Sequence, residues 1–283
     1  MLPPIHVPAS TAGLAITALQ CLNLLSFANE KQTPTGYSKF AGKTASIPSR
    51  RGMMIIYTPA LVTSAALFAT APVVNGREAL VAGLLAVHFA KRVGEVLLVH
   101  RYSGAMGPMC YFISTFYALL SLLICVQTQN VPPAVYAAPG SEAALPVALG
   151  LFAVGQLGNL YHHMLLAGMR SSEAPAPEEV AVTPTSKDAL AATATPAQQP
   201  MPPKAYRVPR GGLFEYAAAP HYLFEIVAWL GVALAAQQLN AFLVTAGMAS
   251  YLSGRAVASS AWYKKQFGAA YPAERKHMVP FVF

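Results

Sequence analysis

Long apolar runs, separated by short polar stretches, constrain this chain more than any other feature. They fall at about residues 11–28, 53–74, 79–100, 108–128, 143–168, 221–237 and 239–259. At 1.5 Å rise per residue, each has about the length needed to cross hydrocarbon as a helix. The sixth is short and the third is interrupted by charge. Only 11% of the chain is charged and 55% is hydrophobic, against roughly a quarter charged in a soluble domain. The pattern predicts an all-α polytopic membrane protein of about seven transmembrane helices.

Loop charge supplies an orientation. Lys31, Lys39, Lys43, Arg50 and Arg51 follow the first run, and Arg101 follows the third. Arg170, Lys187, Lys204, Arg207 and Arg210 follow the fifth, and Lys264, Lys265, Arg275 and Lys276 follow the seventh. The intervening loops offer only Arg77. Alternate loops are basic, so the positive-inside rule puts the carboxyl terminus in the cytoplasm and the amino terminus away from it. The net charge of +8 is dispersed among these loops, a pattern that argues against a nucleic-acid partner. The first run lacks the basic residues that precede a secretory signal.

The chain reads as a single transmembrane domain, 1–283, with a low-complexity linker at 171–203 inserted between the fifth and sixth runs. The linker is rich in Pro, Ala, Thr and Glu and is expected on the cytoplasmic side, disordered in isolation. Cys21, Cys110 and Cys125 all lie in apolar runs and form no disulfide framework.

Ionisable groups inside the apolar runs are the candidate site, because charge at that depth is usually functional. His88, Lys91, Arg92 and Glu95 share one helical face. Glu95 could simply pair with Arg92 or Lys91; alternatively, the face binds an anion. Gln156, Asn159 and His163 share another face, with Arg170 beyond them, and either a helix-packing or a ligand role fits. His162-His163 is the one adjacent histidine pair, too little for a histidine-box di-iron centre, so no metal is expected. Tyr222, Glu225 and Trp229 fall on one face of the sixth run, and Glu225 is either internally paired or part of a site. Arg255, Ser259 and Tyr263 recur at four-residue steps. These faces together would enclose a basic cavity open to the cytoplasm, suited to a phosphorylated cofactor because guanidinium forks bind phosphate bidentately.

The blocks HFAKRVGEVLLVHRYSG (88–104), QLGNLYHHMLLAGMR (156–170), YRVPRGGLFEYAAAPHYLFEIVAW (206–229) and GRAVASSAWYKKQFGAAYPAERKHMVPFVF (254–283) resemble the steroid 5α-reductase family. They look most like its very-long-chain trans-2-enoyl-CoA reductase branch. The resemblance covers most of residues 50–283 outside the linker. It implies a seven-helix fold at the endoplasmic reticulum membrane and NADPH-dependent reduction of the 2,3 double bond of a long-chain enoyl-CoA in fatty-acid elongation. It implies cofactor-binding roles for Asn159, Arg170, Tyr206, Arg207, His221, Glu225, Arg255 and Tyr263, and catalytic roles for Tyr222, as proton donor, and Lys91. Membrane lipid and the enoyl-CoA substrate are the implied partners. The sequence departs from the family pattern at Phe89, where a tyrosine is usual, and at Ser259, where steroid reductases have a histidine. The second run, MMIIYTPAL, has no acidic residue near its proline, where one is usual, and Tyr57 is the nearest polar candidate. These departures weigh against a steroid substrate. They also admit a degenerate member serving as a structural subunit of a larger complex in an organellar membrane, with other membrane subunits as partners.

Overall fold

A computed structural model describes residues 2–42, 45–71, 76–170 and 206–283. The chain is helical nearly throughout. Helices α1 (Thr11–Cys21) and α2 (Ser26–Gln32) are joined by a 3₁₀ turn into one rod. There follow α3 (Ser49–Thr70), α4 (Arg77–Gly94), α5 (Met109–Gln129), the short α6 (Pro133–Ala137), α7 (Ser141–Gly168), α8 (Pro220–Ala236) and α9 (Leu239–Phe267). Strands β1 (Ile47–Pro48) and β2 (Ala105–Met106) pair antiparallel and tie the entry of α3 to the entry of α5.

Each of the seven apolar runs falls on a helix, with ends shifted by a few residues. Thr11–Gln32, α3, α5 and α7 are long and apolar enough to cross a membrane. Helix α8 is apolar but only 17 residues long. Helix α4, the turn that follows it and helix α9 carry ionisable side chains, and several of these, His88, Glu95 and Arg255 among them, are buried within the protein. The second run, expected to reach residue 74, ends in α3 at Thr70, and residues 72–75 lie outside the described part. The 171–203 linker also lies outside it.

Helices α7 and α8 approach most closely, and glycine permits it. A β-carbon on Gly231 would stand 2.6 Å from the Ala148 carbonyl oxygen, and one on Gly155 would meet the Ala228 backbone. Small residues at such crossings let backbones pack tightly without a hydrophobic driving force. Phe89, Leu85, Val96, Ile124 and Trp229 fill the core between α4, α5 and α8.

Two local features aim side chains at one end of the bundle. Helix α4 ends in a π-helical turn, Glu95–Val99, a geometry that recurs at functional sites because it resets the helical face. The carboxyl-terminal tail folds back on residues 206–219: Ala218 N–H donates to Lys276 O at 2.8 Å and Ala219 N–H to His277 O at 3.0 Å. Arg275 reinforces this, donating to Pro209 O at 2.7 Å and standing 3.2 Å from Glu215.

Candidate cofactor and substrate site

A cavity of about 260 Å³ opens at that end. Tyr37 and Lys39 reach it from the loop after α2, and Tyr57 from α3. Arg92 comes from α4, and Arg101 and Tyr102 from the segment before β2. His163 and Arg170 come from α7 and its end, Tyr206 and Arg207 from the segment before α8, His221 and Tyr222 from the first turn of α8, and Arg255, Ser259 and Tyr263 from α9. Among the described lining residues, six are Lys or Arg and none is Asp or Glu. A cation-rich concavity with no lining carboxylate suits a polyanion.

The cations are held at several heights. Lys39 Nζ lies 4.0 Å from the Tyr263 ring centroid. Burial, aided by Arg255 and Arg170, lowers its pKa to about 7. Arg170 Nη1 donates to Arg101 O at 2.6 Å, fixing one side of the mouth. Tyr206 packs edge-on against Trp262 with centroids 4.8 Å apart, and burial raises its pKa. Arg255 is engaged from below: its guanidinium pairs with Glu30 and stacks on Tyr37 at 3.7 Å.

Seven of the ten expected residues line this cavity: Arg170, Tyr206, Arg207, His221, Tyr222, Arg255 and Tyr263. The other three sit behind its wall. Lys91 Nζ donates to Asn159 Oδ1 and lies 3.1 Å from Glu95. Asn159 Nδ2 donates to His221 O at 2.9 Å, holding the first turn of α8. Glu225 lies 3.3 Å from His88 Nε2 and accepts from Trp229 Nε1 at 3.3 Å. Gln156 Nε2 lies 2.9 Å from His88 Nδ1. Of the two readings open for Glu225, the geometry gives internal pairing. A buried carboxylate needs such partners, since an unpaired one is costly.

Glu95 is the centre of a second network. Arg92 Nη1 donates to its Oε2 at 2.6 Å, and His163 Nδ1 lies 3.1 Å from its Oε1. Glu95, His100 and His163 bring ligand-type atoms within 4.8 Å of one another. Both carboxylate oxygens already face Lys91, Arg92 and His163, so here the cluster serves as an ion-pair network. Sequence reasoning assigned Lys39 to orientation alone and gave Tyr37 and Glu30 no role. Their loop is brought to the cavity by contacts from α9 that no local pattern encodes.

A second cavity of about 350 Å³ lies alongside. It is lined chiefly by apolar and aromatic side chains, including Ile56, Ile113, Phe116, Leu120, Val244 and Met248. Tyr37, Met53 and Tyr57 line both cavities. A polyanion site thus adjoins an apolar slot across three side chains.

Residues 188–283 match the family described as 3-oxo-5-alpha-steroid 4-dehydrogenase. The 3-oxo-5-alpha-steroid 4-dehydrogenase 1 of Homo sapiens is 26% identical over 280 residues, covering 95% of each chain. Over these stretches the chain is similar to the steroid 5α-reductase family. The very-long-chain enoyl-CoA reductase of Dictyostelium discoideum is 25% identical over 198 residues, 69% of this chain and 55% of that protein. A steroid 5-alpha-reductase of Solanum lycopersicum is 41% identical over 78 residues, 28% of this chain and 30% of that protein. The chain therefore spans about half or less of the length of these last two relatives. In family terms the carboxyl-terminal match takes in the 206–219 segment, α8, α9 and the tail, which supply six of the seven expected cavity residues; Arg170 comes from the end of α7.

Proposed function

We propose that this protein is a member of the steroid 5α-reductase family and an NADPH-dependent reductase of an activated carbon–carbon double bond. Its first candidate substrate is a long-chain trans-2-enoyl-CoA, reduced at the 2,3 bond during fatty-acid elongation at the endoplasmic reticulum membrane. The observation that carries the reading is the junction of the two cavities. A phosphorylated cofactor needs the cationic side and an acyl chain needs the apolar side, and the reacting carbons must lie where both meet.

Lys39, Arg170 and Arg207 hold phosphates, and Tyr206 and Tyr263 offer ring faces and hydroxyls at the same wall. The donor set fits NADPH, which would supply a hydride. Tyr222, on the cavity side of α8, gives the proton to the α-carbon; a positioned acid of this kind contributes about 10²–10⁴-fold. Lys91 acts through Asn159, which holds the turn bearing His221 and Tyr222. In this reading all seven helical rods cross the membrane, with the carboxyl terminus and the cavity mouth cytoplasmic.

A steroid or other enone lipid is the second reading, supported by the 26% identity to the human steroid enzyme across 95% of both chains. Detergent-purified protein with NADPH, and with either a long-chain trans-2-enoyl-CoA or a 3-oxo-4-ene steroid, decides between them by loss of cofactor absorbance. Faster turnover of the enoyl thioester is expected; faster steroid turnover reverses the order. Neither turnover nor NADPH binding by folded protein would leave the structural-subunit reading in its place.

A further inference from the structure

Tyr57 stands at the junction with its hydroxyl already organised. Arg92 Nη2 donates to Tyr57 Oη at 2.6 Å, and the guanidinium carbon lies 4.8 Å from the ring centroid. On its other side Arg92 donates to Glu95 Oε2 at 2.6 Å. Arginine has no acceptor, so Tyr57 Oη can only accept from it. The phenol's own proton must therefore point elsewhere. Among the described residues the Tyr57 hydroxyl makes no hydrogen bond as a donor. Arg92 thus donates both to Glu95 and to Tyr57, and its donation to Tyr57 Oη strengthens the phenol as a donor. Tyr222 lines the polar cavity and not the apolar one, whereas Tyr57 lines both.

We propose that Tyr57, held by Arg92, is the hydrogen-bond donor to the substrate's carbonyl oxygen. This rests on the reductase reading and divides its chemistry between two tyrosines. As a hydride adds to the β-carbon, the double-bond pair shifts toward the carbonyl carbon and the carbonyl pair moves onto oxygen. The nicotinamide is oxidised and the alkene reduced. Tyr57 O–H stabilises the resulting enolate oxygen without giving up its proton. The enolate then re-forms its carbonyl as the α-carbon takes a proton from Tyr222, which is restored by water. A donor aimed at developing charge is worth about 10²–10³-fold in rate.

Tyr57→Phe tests this in the full-length protein. Turnover of enoyl-CoA should fall about 10²–10³-fold, in kcat far more than in KM, while NADPH affinity stays at the wild-type value. In a second experiment, fluorotyrosines of graded acidity replace Tyr57. Their kcat should follow phenol acidity, which a merely structural tyrosine would not produce. Wild-type reduction with Tyr57→Phe within about threefold overturns the inference and leaves the reductase reading standing. If Tyr57→Phe fails to fold, a flat fluorotyrosine series overturns it. Wild-type protein that neither binds NADPH nor reduces any enone removes the reductase reading, and the inference with it.

Discussion

Glu30 on α2 and Arg255 on α9 form a buried ion pair, 3% and 2% exposed, that joins residues 225 positions apart. The second oxygen of Glu30 accepts from Thr35 N–H at 2.9 Å and from Thr35 Oγ1 at 2.6 Å. One carboxylate thus anchors α9 and shapes the loop that delivers Tyr37 and Lys39 to the cavity.

Glu30→Gln should therefore lower stability strongly. Removing one partner of a buried pair leaves the other charge uncompensated, at about 3–5 kcal/mol. Thermal unfolding in detergent measures this as a lower Tm. NADPH affinity should fall with it, because the Lys39 loop loses its anchor. An unchanged Tm would show that Arg255 finds another partner.

Lys39 should make cofactor binding depend on pH. Its pKa is lowered to about 7 by burial, with Arg255 and Arg170 adding to the effect. A bound phosphate raises that pKa, so binding takes up a proton. Affinity is therefore highest below pH 7 and falls as pH rises through 7 toward 9, by at most about tenfold per unit for one proton. For folding the sign is opposite: the unfolded lysine binds more protons, so this group's contribution to stability rises over pH 7 to 10. NADPH titrations at several pH values should show the fall in wild type and a flat profile in Lys39→Met. Equal slopes in both would assign the dependence to another group.

Tyr222→Phe removes one hydroxyl and little packing. Turnover should drop by about 10²–10⁴-fold with NADPH binding preserved, measured by cofactor absorbance and by equilibrium titration. Near-normal turnover would exclude Tyr222 as the carbon acid.

Gly155→Val should disrupt the bundle. The added side chain meets the Ala228 backbone on α8, where no rotamer change relieves it. Overpacking of this kind costs about 1–3 kcal/mol, and a lower Tm or loss of folded protein in detergent reads it out. A silent variant would mean that α7 and α8 slide apart cheaply.

Sequence alone determined the helices and most of the cavity wall. Apolar runs set the helical rods because hydrocarbon demands that each segment satisfy its own backbone hydrogen bonds. The 206–229 and 254–283 blocks named Tyr206, Arg207, His221, Tyr222, Arg255 and Tyr263 through the family resemblance, and helical spacing grouped Tyr222, Arg255 and Tyr263 with other polar residues of their helices. Only the tertiary structure decided what each charge touches. Helical spacing grouped Lys91 and Glu225 with the other polar residues of their helices but could not say that they meet Asn159, Glu95 and His88 and do not line the cavity. Nor could it lift Lys39 from a loop into the site, or join Tyr57 to Arg92 across 35 positions. Those relations depend on how helices distant in sequence pack, and long-range packing leaves no local period in the chain.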